Sequence, residues 1–486
     1  MKKSLFPFFV ITLLCATAAY AQRGPEWLKN AVIYHIYPSS FQDSDGDGIG
    51  DLEGIRSRLD YVKACGFNTI WLSPVFESPF EDGGYDITDY YKVDPRFGTN
   101  TQLVELIRDA HAKGIRICLD LVAGHTSDKH PWFRQSRSAD TNLQYSDYYI
   151  WSDSKSSLPT KKFVKSDAPR NGNFLKNYFE VQPALNYGYA HPDPDEPWQQ
   201  GYDDPGPRAV RQEIRNIMAF WMDKGVDGFR CDMAMLVPIE FWNETSLRLR
   251  RVKPDLFMLA EAEERNLFEE GAFDACYAWR MHHLMNDVAR QRTRATALRD
   301  YIYADRDDYP DSAMRLAFTS NHDENSWNGS EFSRLGDARE IMAVFTFVVP
   351  RGLPLIYTGQ EIGYDHSFAF FDRDPIPSYA SNAFTEFYRR LTALRHGNPA
   401  LAAGERGGAM VEIRNNAEDC LMTFVRETGG NRVVAVMNLS PYAIHADYYT
   451  GIYAGMYTDA MTGEPFELRG RVEEDMAPWS LSLIHI

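Results

Sequence analysis

Eight short apolar runs, separated by stretches of helical period, set the tightest limit on what this chain of 486 residues can fold into. The runs are Val32–Pro38, Phe67–Pro74, Ile115–Val122, Val226–Asp232, Phe257–Glu261, Phe273–Tyr277, Arg315–Ser320 and Leu353–Thr358. Around them the spacing predicts helices over Ile55–Cys65, Gln102–Ala112, Ala209–Lys224, Glu240–Arg251, Trp279–Arg290, Asp337–Val348 and Ala383–Arg395. Parallel strands need crossover helices and are buried on both faces. Strands of that kind in such alternation predict an α/β fold, a (β/α)8 TIM barrel. Two segments break the pattern. Residues 125–207, rich in Pro, Gly, Asp and aromatic side chains and without helical period, predict a small domain inserted after the third strand. Most of its aromatics, Trp132 among them, are expected in its core. Beyond Asn398 short alternating strands (Met410–Ile413, Leu421–Val425, Val433–Asn438) predict a C-terminal antiparallel β-sandwich over 398–486. The barrel then takes 22–124 and 208–397.

Residues 1–21 have the plan of a secretory signal peptide: Lys2 and Lys3, an apolar run from Leu5 to Leu14, then Ala19-Tyr20-Ala21 as a cleavage site. The apolar run is too short to span a bilayer, so no stable membrane insertion is expected. The expected location is periplasmic or extracellular. The formal net charge is −17 and grows more negative without Lys2 and Lys3. Such a field argues against nucleic acid or an anionic membrane as partner and leaves a neutral substrate unpenalised. Beyond the leader, Cys65, Cys118, Cys231, Cys276 and Cys420 are odd in number and mostly in apolar runs. They are expected as buried free thiols, not a disulfide framework.

After the first strand, Asp43, Asp45, Asp47 and Asp51 crowd into one loop with Gly46, Gly48 and Ile49. The opening positions match an EF-hand loop, but Gly54 stands where that motif needs Glu, and a strand precedes it. The motif is therefore excluded. Carboxylates at this density still call for a hard cation, and a structural Ca2+ is expected on Asp43, Asp45, Asp47, Asp51 and the Ile49 carbonyl.

Barrel enzymes carry their chemistry at the C-terminal ends of the strands. His125, Asp232, Glu261, His322 and Asp323 all fall there, after strands three, four, five and seven. In Val226–Asp232 alternate residues share a face, so Arg230 and Asp232 point together. Beside Arg230, Asp232 is expected to stay ionised and to serve as a nucleophile. Glu261 follows an apolar run with no adjacent base and is expected to hold a proton near neutrality. One ionised and one protonated carboxyl is the retaining glycosidase arrangement. His322 and Asp323 are then available to hold sugar hydroxyls. Glu263 and Glu264, rival acids, read as the start of the next helix.

With these residues in view, the sequence resembles the α-amylase family, glycoside hydrolase family 13, over nearly its whole length. The resemblance rests on Gly66–Pro74, Gly84–Tyr90, Asp120–His125, Gln182–Asn186, Gly228–Asp232, Glu261, Asn321-His322-Asp323 and Gly352–Tyr357. It implies Asp232 as nucleophile, Glu261 as acid/base and Asp323 as transition-state stabiliser. It also implies Arg230, His125 and His322 in the first sugar subsite, Tyr85 stacking on the sugar and Asp86 beside it. The Asp43–Asp51 loop is similar to the calcium loop of the family's oligosaccharide-acting branch. Gly124 and Ala184 depart from residues that often bind a second calcium in this family, and Met235 and Leu236 stand where classical amylases often carry Lys and His. The expected activity is retaining cleavage of α-1,4 bonds in starch or maltooligosaccharides. Alternatives are an exo-acting α-glucosidase, a cyclomaltodextrinase or neopullulanase, a trehalose synthase-like transferase and, most remotely, a sugar-binding barrel without catalysis.

Overall fold

The computed structural model describes residues 24–156 and 158–486, so the signal-peptide assignment lies outside the described residues. Eight parallel strands close into a barrel: β1 (Ile33–Ile36), β2 (Thr69–Leu72), β3 (Arg116–Leu121), β4 (Gly228–Cys231), β5 (Phe257–Ala260), β6 (Ala275–Tyr277), β7 (Met314–Phe318) and β8 (Gly352–Tyr357). Each pairs with its sequence neighbour and β8 returns to β1, as the alternation predicts. Ile33, Trp71, Cys118, Leu259, Leu316 and Leu355 fill the interior. Residues of opposite parity, such as Phe229 and Cys231, face outward and join the layer under the helices. The packed interior leaves the strand ends as the place for a site.

Helices cover the barrel with some departures from expectation. The first breaks at Arg58 into Leu52–Ser57 and Leu59–Ala64, where the Arg58 side chain turns to Gln42. A helix over Thr296–Asp308 was not foreseen. Its buried face is Leu298, Tyr301, Ile302 and Asp305, so the fourth position of the stripe is a carboxylate, which pairs with Arg315 at 3.0 Å. The inserted segment is irregular, with one two-stranded ladder (Phe163–Val164 with Phe174–Leu175) around packed Trp132, Phe133, Tyr149 and Trp151. His130, on the same stretch, accepts the Trp132 N–H and caps the helix Pro131–Ser136. The C-terminal region is a sandwich of a six-stranded and a three-stranded sheet with Val425, Val434, Val436, Tyr448 and Ile484 between them. Its central hairpin turns at Gly429-Gly430, both at positive φ, the conformation a two-residue hairpin requires. Buried Arg426 fastens this region to the barrel through the carbonyls of Val348 and Val349. Cys65, Cys118, Cys231, Cys276 and Cys420 are free thiols, the first four buried. Among the described residues no helix is long and apolar enough to cross a membrane.

Glu361, just past β8, is fully buried and accepts the hydroxyls of Tyr34 and Tyr61 at 2.9 and 2.8 Å. Its second oxygen has no hydrogen-bond partner, and burial pushes its pKa up to about 7. Below the unfolded value the group is protonated in both states. As pH rises the unfolded chain loses that proton while the folded chain retains it. Stability therefore falls between the ordinary glutamate range and neutrality, by about 3 kcal/mol from this group. Glu361→Gln removes this dependence, so its stability relative to wild type should rise steadily from pH 5 to pH 7 in urea denaturation. A difference independent of pH would contradict the assignment.

Candidate active site

The rim is organised by register. β3 and β4 pair so that Asp120 lies beside Arg230, and β4 and β5 pair so that Cys231 lies beside Ala260. One residue on, the Glu261 N–H donates to the Cys231 carbonyl at 3.1 Å and the Asp232 N–H to that of Leu121 at 3.0 Å. Asp232 and Glu261 thus leave adjacent strands at one height, and adjacent strands lie about 4.8 Å apart.

Arg230 lies beneath them, 1% exposed. Its Nη1 meets Asp120 Oδ1 at 2.9 Å and Asp232 Oδ1 at 3.0 Å, and its Nη2 meets Glu261 Oε2 at 2.6 Å. The expectation that Glu261 has no adjacent base is therefore corrected. The guanidinium is long enough to reach across to the neighbouring strand end. One cation cannot keep three buried carboxyls ionised. Burial pushes the pKa of Asp120, Asp232 and Glu261 upward, Arg230 opposes it, and the carboxyls' mutual repulsion reinforces it. Asp232 is accordingly less secure as an anion than its pairing alone suggested. Glu261 Oε2 also accepts the Met233 N–H at 2.8 Å, which leaves Oε1 to carry a proton. Met233 holds that N–H in place from a left-handed backbone (φ 38°), a strained conformation for a side chain of its size.

Asp232, Glu261, Asp323, Tyr85, His125 and His322 line one cavity of about 880 Å³. The Tyr85 hydroxyl donates to Asp120 at 3.1 Å and lies 2.8 Å from His322 Nε2, and the two rings stack. Burial pushes both His322 and His125 down to about 4, so both are neutral near pH 7. His125 bonds to the Tyr85 carbonyl at 3.0 Å and to Asn177 at 3.2 Å. Asp323 follows Asn321, whose side chain caps the helix His322–Asn328, and it is the most open of the three acids.

Asp86 does not reach the cavity. It is fully buried and gathers Ser78 Oγ at 2.8 Å with the N–H groups of Glu81 and Asp82 at 3.0 and 3.1 Å, so it shapes the loop. The carboxylates that line the cavity from this loop are Glu81 and Asp82, which residue pattern alone did not single out. Asp82 is bonded by Gln182 and pushed up to about 7 by burial, then by Asp86 and Asp323. Glu263 starts no helix. It accepts the Arg280 N–H at 3.0 Å and pairs with Arg315, away from the cavity. The inserted segment contributes Tyr178 and Phe179, and the loops after β7 and β8 contribute Trp327, Phe370 and Phe371.

In the acidic loop, Asp43, Asp45 and Asp51 offer oxygens within 4.8 Å of one another, a spacing that fits a hard cation. Asp47 is not part of that group. Its side chain accepts the Ile49 N–H at 2.7 Å. Asp43 collects the N–H groups of Gly46 and Gly48, and Asp51 caps the helix Leu52–Ser57.

Known proteins share this architecture. The family description "Alpha amylase, catalytic domain" matches residues 35–390, and "Alpha amylase, C-terminal all-beta domain" matches 413–482. The chain is 33% identical to Alpha-amylase 3 of Dictyoglomus thermophilum over 379 residues, 75% of this chain and 69% of that protein. It is 45% identical to an Oligo-1,6-glucosidase of Heyndrickxia coagulans over 214 residues, 43% of this chain and 36% of that protein. The crystal structure of an alpha-amylase from H. orenii superposes with a TM-score of 0.76 at 25% identity, covering 94% of this chain and 99% of that one. With the barrel closed, the C-terminal β-domain in place and the family matched along most of its length, the chain belongs to the α-amylase family, glycoside hydrolases that act on α-glucans.

Proposed function

We propose that the protein is a retaining hydrolase of α-1,4-glucosidic bonds in starch or maltooligosaccharides. The observation that carries this reading is the single guanidinium of Arg230 touching both Asp232 and Glu261 from beneath one cavity. Retaining enzymes hold their two carboxyls about 5–5.5 Å apart, and adjacent strand ends at one height supply a separation of that order. Glu261 gives its proton to the glycosidic oxygen as the bond breaks. Asp232 attacks the anomeric carbon from the opposite face and forms a glycosyl ester. Water, deprotonated by Glu261, then releases the sugar. Asp323, His322 and His125 hold hydroxyls of the ring as it flattens toward the oxocarbenium-like state, Tyr85 stacks on it, and Arg230 fixes the acids from below. Product analysis on maltoheptaose tests this: short mixed maltooligosaccharides mean internal cleavage, glucose alone an exo-enzyme, trehalose an isomerase. Cleavage of α-1,6 bonds, the linkage in the name of the Heyndrickxia relative, is the second reading, and isomaltotriose in the same assay distinguishes it.

The donor set Asp43, Asp45 and Asp51 would hold Ca2+, with a structural and not a chemical role, since the loop contributes nothing to the catalytic cavity. Chelation should lower the melting temperature by several degrees, and Ca2+ should restore it. Identical melting with and without EDTA would argue against the ion. The leader sequence supports export to the periplasm or beyond, and N-terminal sequencing of the mature protein tests cleavage after Ala21.

A further inference from the structure

The rim of the barrel is chemically asymmetric about Glu261. Groups able to hydrogen-bond a sugar crowd the loops after β2, β3 and β7, among them Asp82, His125, His322 and Asp323. The loops after β4 and β6, which flank Glu261 on either side, present Met233 and Met235, which offer no side-chain hydrogen bond, and the largely apolar Trp279. The acid gives its proton to the departing oxygen, so the leaving group lies on this flank. Met235 and Leu236 are 44% and 37% exposed beside the catalytic cavity. They are not there through looseness of the chain. They sit on the 3-10 turn Ala234–Leu236, closed by Leu236 N–H to the Met233 carbonyl at 2.9 Å and pinned by the Trp242 indole on the Ala234 carbonyl at 3.0 Å. Met235 also lines a second hollow of about 250 Å³, walled by Leu236, Ile239, Trp242 and Leu267 with Glu264 and Asn266 at its side. Met235 lines both hollows, so an apolar side chain stands where the catalytic cavity meets this second, mixed polar and apolar one.

We propose that this flank is built for an apolar alcohol as leaving group, so that the protein cleaves α-glucosides carrying alkyl aglycones and favours longer alkyl chains over short ones. The proposal rests on the catalytic reading above and adds the chemistry of the aglycone. In the first step the Glu261 proton passes to the glycosidic oxygen, the C1–O bond breaks, an Asp232 oxygen bonds to C1 and the neutral alcohol departs along the Met235–Leu236 shelf. Water returns a proton to Glu261 as it displaces Asp232, and no other reactant is needed. An alkyl chain loses water on both sides of the contact.

The test compares n-hexyl with methyl α-glycosides of glucose and of maltose, with alcohol release followed by gas chromatography. The two alcohols are of similar basicity, so the ratio of kcat/KM reads binding of the chain at the transition state. The ratio in the wild type should be at least about tenfold in favour of hexyl, given what a single methylene can be worth in an apolar pocket. The pair Met235→Ser and Leu236→Ser should bring it to within about twofold of unity, and the pair Met235→Leu and Leu236→Met should keep it. A wild-type ratio near one while maltooligosaccharides are cleaved, or a ratio that survives both serines, overturns the proposal and leaves the catalytic reading standing. Failure to cleave any α-glucan or α-glucoside overturns the catalytic reading and this proposal with it.

Discussion

Asp232→Asn is expected to lower kcat on maltooligosaccharides by about 10⁴-fold or more while shifting the melting temperature by only a few degrees. The amide keeps the shape and an oxygen for Arg230 Nη1 but is a poor nucleophile toward the anomeric carbon. Stability should hold because Arg230 retains Asp120 and Glu261 as partners. Loss of one carboxyl also relieves crowding among groups that burial already pushes toward protonation. The measurement is kcat alongside oligosaccharide binding by calorimetry: turnover lost, binding kept. Full activity in this variant would overturn the mechanism. A collapse of binding and folding together would assign Asp232 a structural task instead.

Glu261→Gln should cost about 10²–10⁴-fold on maltooligosaccharides, whose leaving group needs a proton, and far less in glycosylation by α-glucosyl fluoride, whose leaving group does not. The wild-type rate should fall on the alkaline side as Glu261 loses its proton. Burial raises that pKa, so the fall belongs near and above neutrality, not in the ordinary glutamate range. On the acid side the rate falls as Asp232 takes up a proton, and burial moves that limb upward as well. With one guanidinium common to both acids the two limbs are properties of the cluster. The Gln variant should lack the alkaline limb. An unchanged pH profile with an equal loss on both substrates would remove Glu261 from the role of acid.

The barrel was readable because its signal is repeated. Each strand is a short apolar run, and errors in any one are corrected by its neighbours. The helix Thr296–Asp308 escaped because Asp305 occupies a core position there. A buried carboxylate paired with Arg315 looks like surface until the partner, ten residues on, is seen beside it. Strand-end acids were readable from position and residue type, since few chains place His and carboxylates at so many strand ends. Asp82 and Asp86 were not distinguishable by type. Which carboxylates of this loop enter the cavity and which folds back on its own main chain depends on how the turn from Ser78 to Asp86 closes. The same holds for Glu261, whose neutral surroundings along the chain concealed a guanidinium on the adjacent strand.

The spacing of the two acids is maintained by main-chain bonds between β3, β4 and β5, whereas the walls around them belong to connecting segments. On the proposed retaining mechanism the anomeric configuration of the product is inherited from the framework, and recognition of what is cut is a separable layer laid over it. Grafting different connections onto this rim should redirect the enzyme to new glycosides without ever converting it to an inverting one.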